Sequence, residues 1–284
     1  MTSLPHRHLA LASALLLAAF LLVLCLRGFG DTSTLLVASS LLMAGCCWAS
    51  AARLLGPRAA LRLLLAGVAI GWVAEELGAT RGWFFGDYTY TDVLGPRLGA
   101  VPVVIPLMWF ALSYCGYVIA DLVVWQAPSA RIPGLPMTVL SALVGATVVT
   151  CYDLGVDPYM VYKLRAWTMA RTDGWWFGET VQGFAGWMTV AFAIQLAFRL
   201  WLRRQPATAT ATATAPATTR HVLVPLSVYA GLMLFQVCLG YPVEARTIAL
   251  FAMGFPLLTA GCGLLRWRAA GAAPAAGATL KEAA

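Results

Sequence analysis

Long apolar runs alternate along this chain with short polar connections, and the runs have the length of membrane spans. A helix needs about 20 mostly apolar residues to cross a bilayer. Eight stretches qualify, at roughly 9–26, 34–52, 61–77, 101–125, 135–153, 184–202, 222–240 and 247–265. The first and the last two fit least well. The pattern therefore predicts an all-α fold, a polytopic membrane helical bundle of seven to eight transmembrane helices. Two segments break the pattern without adding an element. Residues 206–219 are a Pro/Thr/Ala repeat too poor in large apolar groups to pack, and they read as a flexible loop. Residues 269–284 read as a disordered tail, which leaves a single transmembrane domain over 1–268.

Composition supports the membrane reading. Of 284 residues, 61% are hydrophobic and 11% charged, where a soluble domain carries about 25% charged residues. A net charge of +7 would suggest nucleic acid in a soluble chain. Here the basic residues sit at the ends of apolar runs, as the positive-inside rule requires, and nucleic acid is not expected as a partner. With eight spans and the N-terminus inside, twelve Lys and Arg fall on the cytoplasmic side and seven outside. Both termini are therefore expected in the cytoplasm, in what reads as a bacterial cytoplasmic membrane. His6, Arg7 and His8 followed by an apolar run resemble a signal peptide. The run is long for that role and no small-x-small cleavage pattern follows Cys25, so it reads as the first span.

The seven cysteines form no CxxC pattern and suit packing. The three histidines, at 6, 8 and 221, lie outside the apolar cores, which argues against haem or a bis-His metal centre. The sequence has no P-loop, dinucleotide fingerprint, HExxH helix or nucleophile elbow. No metal and no cofactor are expected.

Chemistry concentrates between Glu75 and Trp109. Two carboxylates end an apolar run, a Gly/aromatic/Pro loop follows, and the chain re-enters an apolar run through Pro102 and Pro106. Ionisable groups in a span are costly and mark function by default. Glu75 and Glu76 lie about 14 residues into the third run, and Asp153 about 17 into the fifth, so their depths are similar. Glu75 and Glu76 are about 100° apart around a helix, so one of them at most faces a given partner. Pro158 biases Asp157 out of the helical region, which places Asp157 at a helix end near a pocket mouth. Asp121, toward the other end of its span, reads as structural or snorkelling.

The loop GWFFGDY at Gly82–Tyr88 recurs as GWWFGET at Gly174–Thr180, each copy after a helix ending in acids. Two spans separate the copies, which puts both on one side of the membrane. They are either an interfacial aromatic belt with glycine turns or a parallel repeat whose loops close one pocket. The acids in turn are either a site or partners for Arg81, Arg97 or Arg165.

An ordered series of residues resembles the membrane carotenoid-biosynthesis proteins that include CruF-type carotenoid 1′,2′-hydratases and bisanhydrobacterioruberin hydratase. The series is Glu75-Glu76-Leu77-Gly78, Phe85-Gly86-x-Tyr88-x-Tyr90-Thr91, Leu94-Gly95-Pro96, Val101-Pro102 and Ile105-Pro106-Leu107-x-Trp109. It continues through Asp153-x-x-x-Asp157-Pro158, Trp167, Phe177-Gly178 and Phe184-x-Gly186-Trp187, and covers roughly residues 60–200. The chain departs from the family at Phe84, where Pro is usual, and at Gly183, where Asn is usual.

The resemblance implies addition of water across the terminal isopropylidene double bond of an acyclic carotenoid, giving a tertiary alcohol without a cofactor. A carboxylic acid kept protonated by an apolar site protonates the alkene. Aromatic faces shield the tertiary cation, and an ionised carboxylate takes the proton of the attacking water. The candidate catalytic residues are Glu75, Glu76, Asp153 and Asp157. The acid is Asp153 or one of Glu75 and Glu76, the base is the other side of that pair, and Tyr88, Tyr90 and Asp157 support them. The candidate substrate-binding residues are Phe85, Tyr88, Tyr90, Trp109, Trp167, Phe184 and Trp187. The implied partners are a lipid-soluble carotenoid, membrane lipids and other enzymes of carotenoid synthesis. Two other readings remain open: a proton- or solute-coupled transporter using the acids as a relay, and a non-catalytic carotenoid-binding subunit.

Overall fold

The computed structural model describes residues 4–30, 32–129, 134–205 and 219–272. Most of the 206–219 repeat and residues 273–284 of the expected tail lie outside them, while residues 269–272, expected as part of that tail, continue the last helix. Within the described residues the chain forms eight helices. They are α1 (Leu4–Leu26), α2 (Ser33–Leu54), α3 (Pro57–Arg81), α4 (Val104–Trp125), α5 (Leu135–Pro158), α6 (Val181–Arg203), α7 (Thr219–Leu239) and α8 (Glu244–Ala272). Four short strands lie between helices: β1 (Tyr88–Tyr90), β2 (Arg97–Leu98), β3 (Val101–Pro102) and β4 (Trp167–Met169).

Seven of the helices are long and apolar enough to cross a membrane, so this is an integral membrane protein. The exception is α3. Its 25 residues are ample in length, but Arg58, Arg62, Glu75, Glu76 and Arg81 lower its hydropathy. The helix whose composition suits lipid least is the one that carries the site. The run from Leu9 lies within α1, which packs on α2 and α7 and buries Phe20 and Leu24.

The bundle is built around α4, which touches α2, α3, α5, α7 and α8 and is buried along most of its length. Close approach of α3 to α4 depends on small residues. A Cβ on Gly67 would come within 2.6 Å of the Phe110 backbone, and one on Gly71 within 2.8 Å of the Trp109 ring. This small-xxx-small spacing lets two backbones pack without intervening side chains. Glu75 lies one turn beyond Gly71 on the same face, so the contact that joins the helices also carries its carboxylate to Trp109.

At the other end of the bundle, α3 stops at Gly82, whose left-handed φ of 67° lets its N–H return to the Gly78 carbonyl. The chain then makes the first GWFFG loop and enters β1. β1 pairs antiparallel with β4, Tyr88 opposite Met169 and Tyr90 opposite Trp167. This two-stranded cap joins the segments on either side of α4 and α5. Gln182, just inside α6, donates to the Gly82 carbonyl at 3.0 Å, so the two Gly/aromatic loops lie side by side.

One local expectation fails. Asp157 is not released from helical geometry by Pro158. The helix runs through Pro158 and widens into a π-helical turn over Tyr159–Leu164. Proline has no N–H to offer the Leu154 carbonyl one turn back. The indole N–H of Trp176, in the second Gly/aromatic loop, takes that carbonyl at 3.0 Å. Helix continuity here rests on a residue from another element, which a local rule for the residue before proline does not include.

Candidate active site

Beneath the β1–β4 cap lies a narrow cavity of about 50 Å³. Two carboxyls reach its wall, Glu75 from α3 and Asp157 from α5. The rest is apolar and aromatic: Phe85, Tyr88, Tyr90 and Trp167 from the cap, Trp109, Ile105, Met108 and Leu112 from α4, and Trp187 from α6. Tyr152, Val156, Met160, Met169, Leu94 and Gly183 complete it. The indoles of Trp109 and Trp187 lie 4.5 Å apart, and Phe85 stacks on Trp109 at 6.2 Å.

Glu75 is held by three donors. Trp109 Nε1 donates to Oε1 at 2.8 Å, Tyr90 Oη to Oε2 at 2.7 Å, and Tyr88 Oη also to Oε2. Each donor depends on local sequence. Tyr88 and Tyr90 alternate on strand β1, so both rings face inward while Thr89 faces out. Gly78 lets the cap come close, because a Cβ there would meet Phe85 and Tyr88 at 2.9 Å. Burial, and then the charge of Glu75, push both tyrosine hydroxyls well above the ordinary phenol range, so they keep their protons and donate hydrogen bonds to the carboxylate.

Asp157 and Asp153 are one turn apart on the same face of α5, and both are buried. Among the described residues neither Asp153 oxygen has a hydrogen-bond partner. The Asp157 carboxyl adjoins that of Glu179, a buried residue of the second Gly/aromatic loop. Glu179 also has no donor on either oxygen. Among the described residues no arginine or lysine pairs with Glu75, Asp153, Asp157 or Glu179. Arg97, weighed as a partner, pairs with Asp92 at 2.9 Å, and Asp121 pairs with buried Arg199 at 2.6 Å. Charges buried without a counter-ion are expensive, so the cluster must be carried in part as neutral acid.

The expected residues are distributed unevenly. Glu75, Asp157, Phe85, Tyr88, Tyr90, Trp109, Trp167 and Trp187 come together at the cavity. Asp153 lies behind Asp157 rather than on the wall. Glu76 faces away and accepts the Ala100 N–H at 2.8 Å, fixing the turn between β2 and β3. Phe184 packs edge-on against Trp176, off the cavity. Glu179 is an addition. Its sequence signal was its place in the duplicated loop, where it is the counterpart of Asp87.

An apolar slot with two carboxyls on its wall, one of them held by three donors, defines a membrane protein with a pocket suited to an apolar molecule. The chain belongs to the carotenoid biosynthesis protein family, which it matches over residues 32–257. It is similar to the bisanhydrobacterioruberin hydratase of Haloarcula japonica, 31% identical over 137 residues, 46% of this chain and 43% of that relative. The similarity thus spans less than half of the relative's length. No solved structure matches the chain.

Proposed function

We propose that this protein adds water across the terminal double bond of an acyclic carotenoid end group, of the lycopene, γ-carotene or bisanhydrobacterioruberin type, and needs no cofactor to do so. The observation that carries the reading is the unlike pair of carboxyls across one apolar slot. Three donors around Glu75 suit a carboxylate, and the contact of Asp157 with Glu179, whose oxygens have no donor among the described residues, suits a protonated acid.

In this reading the isopropylidene end enters the slot and the rest of the polyene extends away from it. Asp157 gives its proton to the inner alkene carbon, the CH, forming a C–H bond and leaving a tertiary cation on the outer carbon that bears the two methyls. The faces of Trp109, Trp187 and Phe85 stabilise that cation. Water adds to it, the C–O bond forms, and Glu75 takes the water's second proton. The product is a tertiary alcohol. Glu76, now serving the β2–β3 turn, takes no part, and Asp153, buried without a partner one turn behind Asp157, stays a neutral acid.

Crossing by all eight helices puts both termini on one side, and the Lys/Arg bias makes that side the cytoplasm. The protein would then work in a cytoplasmic membrane, beside the enzymes that make its substrate.

The test is pigment analysis by liquid chromatography and mass spectrometry, in a host producing lycopene or γ-carotene and grown in ¹⁸O-labelled water. A more polar pigment carrying one labelled oxygen is expected. Absence of any such product from both pigments, with the protein folded in the membrane, overturns the reading.

A further inference from the structure

Glu179 is 1% exposed, and neither of its carboxyl oxygens has a partner among the described residues. It sits just before Thr180, whose hydroxyl caps α6, so its position is set by a turn and a helix start rather than by an ion pair. It does not line the cavity, and Asp157, which it adjoins, does. The groups facing it are all acids or a phenol: Asp153 and Asp157 on α5, and Tyr162 in the π-helical turn, with Glu75 beyond Asp157 on α3. Two adjoining buried carboxyls, one of them with no donor on either oxygen, repel as anions and are stable when they share a proton. Burial pushes the Glu179 carboxyl up to about 7, and the contact with Asp157 pulls it back in part.

Glu179 is also the member of the cluster that lies in a loop rather than in a helix. The neighbouring Gly178 lies against the hydroxyl of half-exposed Tyr162. Thr180, on its other side, opens into a polar cleft with Asp87, Arg171 and Gln182. Protons in that cleft are one residue from the buried pair.

We propose that Glu179 is a proton-supplying and positioning residue, which reloads Asp157 after each hydration and draws its own proton from the loop face of the membrane. The proposal rests on the hydratase reading. In each cycle the Asp157 O–H bond breaks as the substrate C–H bond forms. The Glu179 O–H bond then breaks as Asp157 is reprotonated, and Glu179 takes a proton from solvent. The proton that water loses passes to Glu75 and leaves by way of Tyr88, a residue that lines both the cavity and a second polar cleft with Thr80 and Thr89. One proton comes in and one goes out, so the site returns to its starting state.

The experiment compares the full-length wild type, Glu179→Gln and Glu179→Asp in native membranes. Labelled-oxygen incorporation is followed against pH, and carboxyl C=O stretching against pH by infrared difference spectroscopy. Wild-type turnover is expected to fall as pH rises through about 7, because the reloading proton is lost. Glu179→Gln is expected to lower kcat by about tenfold or more, leave KM in place and abolish that alkaline limb. Glu179→Asp is expected to recover part of kcat with the limb displaced to lower pH. A Glu179→Gln protein with wild-type kcat and an unchanged limb overturns the proposal. Should that variant fail to accumulate, an undisplaced limb in Glu179→Asp overturns it instead. Wild-type membranes that hydrate nothing defeat the hydratase reading. Even then, an infrared carboxyl band that titrates near neutrality and vanishes in Glu179→Gln upholds the shared proton, and a band that persists sinks it.

Discussion

The loops Gly82–Asp87 and Gly174–Glu179 share an order of glycine, tryptophan, aromatic, phenylalanine, glycine and acid, but they turn opposite parts of it inward. In the first, Phe85 is buried on the cavity wall and Asp87 is exposed. In the second, Glu179 is buried against Asp157 while Trp175 is 74% exposed. The backbone explains the inversion. The first loop leaves the αL cap of α3 and flows into β1, with left-handed φ at Gly82, Phe84 and Gly86. The second closes on itself through paired Gly174 and Gly178 backbone bonds of 3.1 Å, with left-handed φ at Phe177 and Gly178. One loop therefore presents aromatic walls and hydroxyl donors to Glu75. The other delivers a carboxyl to Asp157.

If the first loop serves a base, its removal should cost most. Glu75→Gln keeps the volume but ends proton acceptance, and turnover should fall by about 100- to 10,000-fold, or roughly 3–5 kcal/mol of barrier. Product formation in membranes at matched protein levels checks this. Loss below about tenfold would move the base elsewhere.

The second loop should reveal itself through pH. A carboxyl raised from its ordinary value to about 7 binds more protons folded than unfolded. Its contribution to stability is thus present below the unfolded value and is lost as pH rises through about 7. The effect, shared with Asp157, is at most about 3 kcal/mol. Thermal unfolding in detergent between pH 5 and 8 should show the midpoint falling with pH, and Glu179→Gln should flatten the trend.

The same loop is anchored through Trp176. Trp176→Phe keeps the ring but leaves the Leu154 carbonyl bare where Pro158 cannot serve it. A loss of about 1 kcal/mol is expected in a denaturation curve, with a fall in turnover because Asp157 lies on the loosened turn. An unchanged curve would mean that water replaces the indole.

How far the sequence foretold this arrangement depends on whether the cause was local. The spans, the acids of α3 and α5 and the inward tyrosines of β1 all follow from periodicity and composition. That only one of Glu75 and Glu76 reaches the cavity followed from helix geometry, but which one depended on Gly67 and Gly71 pressing α3 onto α4. Glu179 was hidden for another reason. An acid in a Gly/Trp loop, outside any apolar run, looks solvated until the loop is seen to fold beneath its neighbour. Phe184 went astray because position in a motif does not fix which face of α6 meets the cavity.

The smallest effect gives the sharpest control on the comparison. Asp87 occupies the register of Glu179, carries the same charge type and lies beside the same cleft as Thr180. It is exposed, and its backbone carbonyl, which accepts the Ala170 N–H at 2.8 Å, does not depend on its side chain. Asp87→Asn should therefore change stability by no more than about 0.5 kcal/mol, and should leave both kcat and the alkaline limb in place. Measured beside Glu179→Gln in the same membranes, it separates loss of a negative charge near the cleft from loss of the buried carboxyl itself. Equal effects from the two substitutions would mean that the loops act through surface charge, and that the inward turn of Glu179 has no part in the chemistry.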